Sequence, residues 1–498
     1  VNISIAIAAS RVYYDVNSDA ICISGRININ TGSLFVNDGA QIQSFVYGEG
    51  NSGKIAINAR DNIRLDNNAV IKVEGDRAGD IRIEGNKVNL SGASNIESTT
   101  GSQDSGEISI RAGALEMTGD SDILSNTIGT GKSGDLTINV GSFIAEENSL
   151  VVASSWLTSG ETGNINLTAR DYINIFDGSQ VSIFTVGRGD GTTTGSAGNI
   201  SIETKDLNLQ NGNIAVSTFL GQGNAGELKI KATNSVNLND SSIFIETINL
   251  YVDNQGSIFT NVFDPSNVDV SAINFQVSSP EAINLLSQLI STINPENVGK
   301  ANSGNVTIIA DNSVKITGES ADGNNRSFLS TATFGEGNGG NITIDSGSLL
   351  LQDGAQLRAS TYGTGNAGNV QVTATDTVYL IDANILSTVE AGGNGEGGNI
   401  DINAATLSLT DSAQLITITR EASDTQPAGR GDAGNVNVNV SGSVNIAGKK
   451  SRFVSGIFSY VDTGTEGNGG NITVDSGSFS LTDGARLRAS TDGKGDAG

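Results

Sequence analysis

Apolar and polar positions alternate with period two along most of this chain, in short runs that come in threes. Between residues 340 and 361 the runs are Asn341-Ile342-Thr343-Ile344, Leu349-Leu350-Leu351 and Ala355-Gln356-Leu357-Arg358-Ala359. Alternation over so few residues predicts half-buried strands. The second and third runs are separated by Asp353-Gly354, and the same pair recurs as Asp38-Gly39, Asp177-Gly178 and Asp483-Gly484. Asp-Gly supplies the positive φ of a tight corner. A GxGxxG hexapeptide precedes most triplets, ending at Gly53, Gly134, Gly226, Gly340, Gly368, Gly398, Gly434 and Gly498. A dinucleotide fingerprint is used once and opens a helix. Here a strand-like run follows instead, so the hexapeptide reads as the corner of a repeat.

The last glycine of each corner marks the period: Gly25, Gly53, Gly79, Gly106, Gly134, Gly163, Gly198, Gly226, Gly304, Gly340, Gly368, Gly398, Gly434, Gly470 and Gly498. Successive spacings cluster at 28, with several of 35 or 36 and one of 78. An all-strand chain with such a period is a solenoid whose units bury their apolar faces only by stacking. Three strands and three corners per turn predict an all-β parallel β-helix of about 16 coils, with Val, Ile and Leu inward and Asn, Thr, Ser and charged residues outward. A right-handed coil is the expectation for parallel crossovers.

A longer period lies above the first. Residues 335–368 nearly repeat at 465–498, an offset of 130. On this alignment the 78-residue gap holds two coils plus about a dozen inserted residues. The predicted organisation is β-helix coils over 1–240, an irregular insertion over 241–302, and coils again over 303–498. The insertion holds Pro265, Pro280 and Pro295. Ser279-Pro280-Glu281 is a helix start, and Ala282, Ile283, Leu286, Leu289, Ile290 and Ile293 then recur at helical spacing. A short helix over about 280–293 is expected, either packed on the solenoid flank or presenting Leu286 and Leu289 to a partner.

Composition adds exclusions. The chain has no histidine, which removes imidazole catalysis, a Ser/His/Asp triad and the usual zinc sites. Its single cysteine, Cys22, lies in an alternating run and is expected in a strand. A net charge of −26 argues against nucleic acid as a partner. No run of 18 apolar residues exists to form a transmembrane segment. Residues 1–9 alternate and carry no charge, so they read as a strand of an incomplete coil, not a secretion signal.

Several motifs are weaker than they look. Gly129-Thr130-Gly131-Lys132-Ser133 imitates a phosphate loop, but Asn126 replaces its first glycine. Asp15, Asn17 and Asp19 imitate the start of a calcium loop, with Ala20 and Arg26 at positions that need Gly and Glu. Adventitious calcium is the most they suggest, and no cofactor is expected. Arg188-Gly189-Asp190 and Arg430-Gly431-Asp432 spell the tripeptide of integrin ligands, in corners long enough to protrude. Tyr13, Tyr14, Tyr47, Trp156, Phe184 and Tyr460 could stack on sugars, although they form no cluster in sequence.

Coils of the form GNxGNIxIxxxxLxLxDGAxLxAST, as in residues 337–361, resemble the repeat region of the filamentous-haemagglutinin-like exoproteins of cyanobacteria. The resemblance covers residues 25–498 apart from the insertion. It implies a right-handed β-helix, export through an outer-membrane transporter by two-partner secretion, and an extracellular or cell-surface role in adhesion or aggregation. The family's secretion domain is missing here, so the chain is expected to be a segment of a longer polypeptide. The expected function is a non-enzymatic adhesin stalk that meets a surface glycan or protein. A filament or sheath built by end-to-end self-association is the alternative, and a polysaccharide-degrading β-helix enzyme is a third reading.

Overall fold

The computed structural model describes residues 22–46, 50–156, 159–187, 194–219, 221–248, 251–252, 258–259, 300–318, 327–423, 426–450 and 453–498. Among them there is no helix, and the long strands pair in parallel with the equivalent strands of neighbouring coils. The chain divides into two compact units, Val1–Gly187 with Thr194–Val216 and Arg188–Thr193 with Ser217–Gly498. Each is a parallel β-solenoid.

In the first unit the third strands of the coils form one ladder of Gln41–Phe45, Val70–Gly75, Asn95–Thr100, Asp122–Thr127, Leu150–Trp156 and Gln180–Val186, and the strand Asn213–Phe219 is divided between the units after Val216. The second unit repeats this with Ser242–Ile248, Phe328–Thr333, Gln356–Thr361, Asn384–Val389, Gln414–Thr419, Gly456–Val461 and Arg486–Thr491. Fourteen third strands make fourteen coils among the described residues, fewer than the expected 16 or so. One coil of the difference comes from the 78-residue gap, and residues 1–21, expected to hold part of another, lie outside the described residues. Leu228 pairs with Val306 and Ser242 with Phe328, so the gap contains one coil, not two. The stretch 242–248, expected inside the insertion, is that coil's third strand. The excursion therefore lies within 249–299, and the expected helix over about 280–293, with Leu286 and Leu289, falls outside the described residues.

The three strands per coil are present, but in most coils the first two join through an elbow into one element, such as Ile342–Gln352 and Val436–Ala447. They separate in coils such as Val370–Ala374 with Thr377–Ile381. The longer coils place their extra residues in corners, for example between the strands ending at Thr419 and starting at Val436.

Inward positions stack like on like. Val306, Ile342, Val370, Ile400, Val436 and Ile472 occupy one column, and the first five are inaccessible to solvent. One inward class differs from expectation. Ser and Thr also point inward in the third strands, where Ser387 Oγ donates to the Gly368 carbonyl at 2.9 Å and Ser459 Oγ to that of Gly434 at 2.8 Å. The glycine corner turns carbonyls towards the core, and buried carbonyls need donors.

The Asp-Gly corners behave as predicted, with φ of 57° at Asp353 and 85° at Gly354. The glycine corners have a second component, an asparagine ladder. The Asn341 amide N–H donates to Asn305 Oδ1 (2.8 Å), Asn369 to Asn341 (2.8 Å), Asn399 to Asn369 (2.7 Å), Asn435 to Asn399 (2.8 Å) and Asn471 to Asn435 (2.8 Å). Each side chain caps the N–H one coil further on, which explains why Asn follows the corner glycine so often. Asn369→Leu should leave the Asn399 N–H without its acceptor and cost about 1–2 kcal/mol in denaturant titration.

Candidate functional site

The corner glycines named from sequence are needed for close approach. A Cβ on Gly53, Gly134, Gly304, Gly340, Gly368, Gly398, Gly434 or Gly470 would overlap the carbonyl of the preceding coil's corner glycine, whereas nothing lies within 4 Å of one on Gly25. Gly226 offers the carbonyl that Gly304 packs against. The phosphate-loop look-alike is built into the same stack: the Lys132 N–H donates to Asp104 Oδ1 at 2.9 Å, and Ser133 Oγ accepts the Gly163 N–H at 2.9 Å.

The arginine-glycine-aspartate triplets fare differently. Arg188 and Asp190 lie outside the described residues, as do Asp15, Asn17, Asp19, Tyr13, Tyr14 and Tyr47. Arg430-Gly431-Asp432 does not protrude, because it is one rung of the corner ladder. Arg430 bridges to Asn394 and Glu466, and Asp432 Oδ1 accepts the Asn468 N–H at 2.7 Å. Long corner residues before it, not the triplet itself, supply the extra length.

The fold gathers the aromatics that sequence left scattered. Side chains on the outward face of the third strands belong to every second residue. In the first unit they include Phe45, Trp156 and Phe184, and in the second Phe219, Phe244, Phe328, Phe334, Tyr362, Phe458 and Tyr460. These side chains turn away from the coil interior but none is exposed: Phe219, Phe244 and Phe334 are 8%, 5% and 8% accessible and the others are half-buried. Outward residues of the first strands are polar by contrast, as with Thr343, Asp345, Asn437 and Asn439. Trp156 meets Phe184 edge to face with centroids 5.0 Å apart and donates its indole N–H to Ser154 Oγ at 3.0 Å. Phe334 stacks on Tyr362 at 4.4 Å, and the guanidinium of Arg358 lies 5.3 Å from the Tyr362 centroid.

Charged residues cross the same face in the second unit. Glu390 is held between Arg358 and Arg420, both at 3.1 Å, and its Oε1 accepts the Thr388 hydroxyl at 2.6 Å. Burial alone would push the Glu390 carboxyl up; the two guanidinium charges and the hydrogen bonds outweigh it and hold the group below the usual range. Arg488 lies over Tyr460 at 5.1 Å.

Glu246, 5% exposed on this face, behaves oppositely. Burial pushes its carboxyl up to about 7, against the pull of the Arg358 charge. The folded state then holds the proton more tightly than the unfolded chain, so Glu246 lowers stability as pH rises from the ordinary carboxyl value to about 7. Glu246→Gln should match the parent in melting at pH 4 and exceed it at pH 8 by up to about 3 kcal/mol. Equal stability at both values would contradict this reading.

Among the described residues no group of three or more His, Cys, Asp or Glu side chains is placed to hold a metal ion. No family model, curated protein or solved structure matches the chain.

Proposed function

We propose that this chain is a non-enzymatic, extracellular β-helical stalk of a secreted surface adhesin of the filamentous-haemagglutinin-like kind, exported through an outer-membrane transporter. The observation that carries the reading is the parallel β-solenoid itself, coil stacked on coil through glycine and asparagine corners, as a stalk requires. Trp156 and Phe184, half-buried and set edge to face on neighbouring third strands, are the aromatic pair that suits contact with a partner. The corner acids and amides support it as well, since they serve the ladder and are committed there.

Immunogold electron microscopy of the producing cell tests the placement, and a cell-attachment assay tests the role. Label on isolated surface projections, with attachment reduced in a strain carrying Trp156→Ser and Phe184→Ser, is the expected result. Label confined to the cell interior, or unchanged attachment in a strain lacking the chain, would overturn the proposal. Label along continuous fibres would favour the filament.

A further inference from the structure

We propose that the first unit carries a binding groove for the carboxylates of an acidic polysaccharide. The groove lies outside the aromatic face, at the elbow where first strands turn into second strands, and does not depend on the stalk reading. It is an open depression of about 620 Å³ whose sides come from Arg60, Glu84, Asn86, Arg111 and Asn139. Small residues, Ala59, Gly85 and Ala112, leave the space. Gly32 makes further room, since a Cβ there would lie 3.3 Å from Arg60 Nη2.

Four of the polar side chains have their bonding capacity unspent. Among the described residues Arg60, Arg111, Asn86 and Asn139 make no side-chain hydrogen bond or ion pair to the protein. Nearby cations do: Lys54 with Asp80 (2.5 Å), Arg64 with Asp66 (2.9 Å), Lys72 with Glu74 (3.0 Å), Lys87 with Glu116 (2.6 Å), and Arg82 with Glu84. Arg60 and Arg111 thus bring two guanidinium groups without an ion pair into one groove. Their planar forks match a carboxylate in bidentate geometry. The Glu84 carboxylate in the groove is already neutralised by Arg82.

The groove's shape selects the class of ligand. Its residues come from four successive coils, which at about 4.8 Å per coil span roughly 14 Å. An open trench of that length suits an extended chain better than a single ion. The amides of Asn86 and Asn139 can donate to and accept from hydroxyls. An acidic peptide would instead seek a free sheet edge for its backbone, and the strands lining this elbow are paired on both sides by neighbouring coils.

Isothermal titration of the whole chain with oligogalacturonate tests the site, with its carboxyl-reduced neutral analogue and polyglutamate as comparisons. The expected result is saturable, salt-sensitive oligogalacturonate binding, weakened at least tenfold by Arg60→Gln with Arg111→Gln and unchanged by Arg64→Gln. The neutral analogue should not bind. The proposal is overturned if the parent does not bind oligogalacturonate, if the double variant binds equally well, or if polyglutamate binds as tightly. Matching melting curves for parent and variants would exclude a folding defect as the cause of lost binding.

Discussion

Gly368→Val should abolish the cooperative unfolding transition of the second unit or shift it by at least about 4 kcal/mol. The new Cβ would occupy the space of the Gly340 carbonyl oxygen. That carbonyl cannot retreat, because Gly340 is packed against Gly304 in the same way and Gly398 packs on Gly368. Relief would require separating coils, which breaks the strand ladders and the Asn341–Asn369 rung together. Gly25→Ala is the internal comparison. Nothing lies within 4 Å of a Cβ at Gly25 and its φ is not in the left-handed region, so its cost should be within about 0.5 kcal/mol. Urea titrations of the two variants would compare them directly, and equal costs would show that the corner glycines are not selected by coil contact.

The second large effect is expected from Ile342→Asp. Ile342 is inaccessible to solvent, with Val306 on one side and Val370 on the other. A carboxylate there would face only apolar neighbours in its column. Burial of this kind shifts carboxyl pKa values by several units, each worth about 1.4 kcal/mol, in addition to the lost packing. A destabilisation of about 5 kcal/mol or more follows at pH 7, reduced at acid pH where the carboxyl is neutral. Thr343→Asp, one residue on and facing outward, should change stability by less than about 1 kcal/mol. Melting of both variants at pH 4 and pH 7 checks the assignment of faces.

Much of the fold was legible because it is local. The Asp-Gly corners, the alternation and the 28-residue period each depend on residues close in sequence, and the structure has them where the pattern puts them. The coil count was not, because coil length and insertion length both vary in this chain. The pairings of Leu228 with Val306 and of Ser242 with Phe328 show that 78 residues enclose one coil. Inward Ser387 and Ser459 were missed for a different reason. A hydroxyl reads as outward by polarity, yet the corner carbonyls of Gly368 and Gly434 make the interior the better place for it.

The candidate surfaces were least legible. Phe334 and Tyr362 stack although 28 residues separate them, and Trp156 meets Phe184 across the same distance. Sequence showed these aromatics as isolated residues, and only their strand and facing, taken coil by coil, would have joined them. Arg60 and Arg111 line one groove from coils that are not adjacent. Their lack of acidic partners is a property of three-dimensional neighbours, which no spacing rule reveals. The Arg430-Gly431-Asp432 triplet shows the opposite error, since a motif legible in sequence is spent on the ladder.

The central claim is a continuous register of single coils in the second unit, including the one that spans the long gap. It is tested most directly by cysteine cross-linking in a Cys22→Ser background. Lys229 and Thr307 are register partners on adjacent strands although 78 apart in sequence, as are Thr307 and Thr343. The account predicts that Lys229→Cys with Thr307→Cys forms an oxidative cross-link as readily as Thr307→Cys with Thr343→Cys. A second coil in the gap would place Lys229 and Thr307 about 9.6 Å apart, beyond disulfide reach. Failure of the first pair under conditions where the second closes would contradict the account.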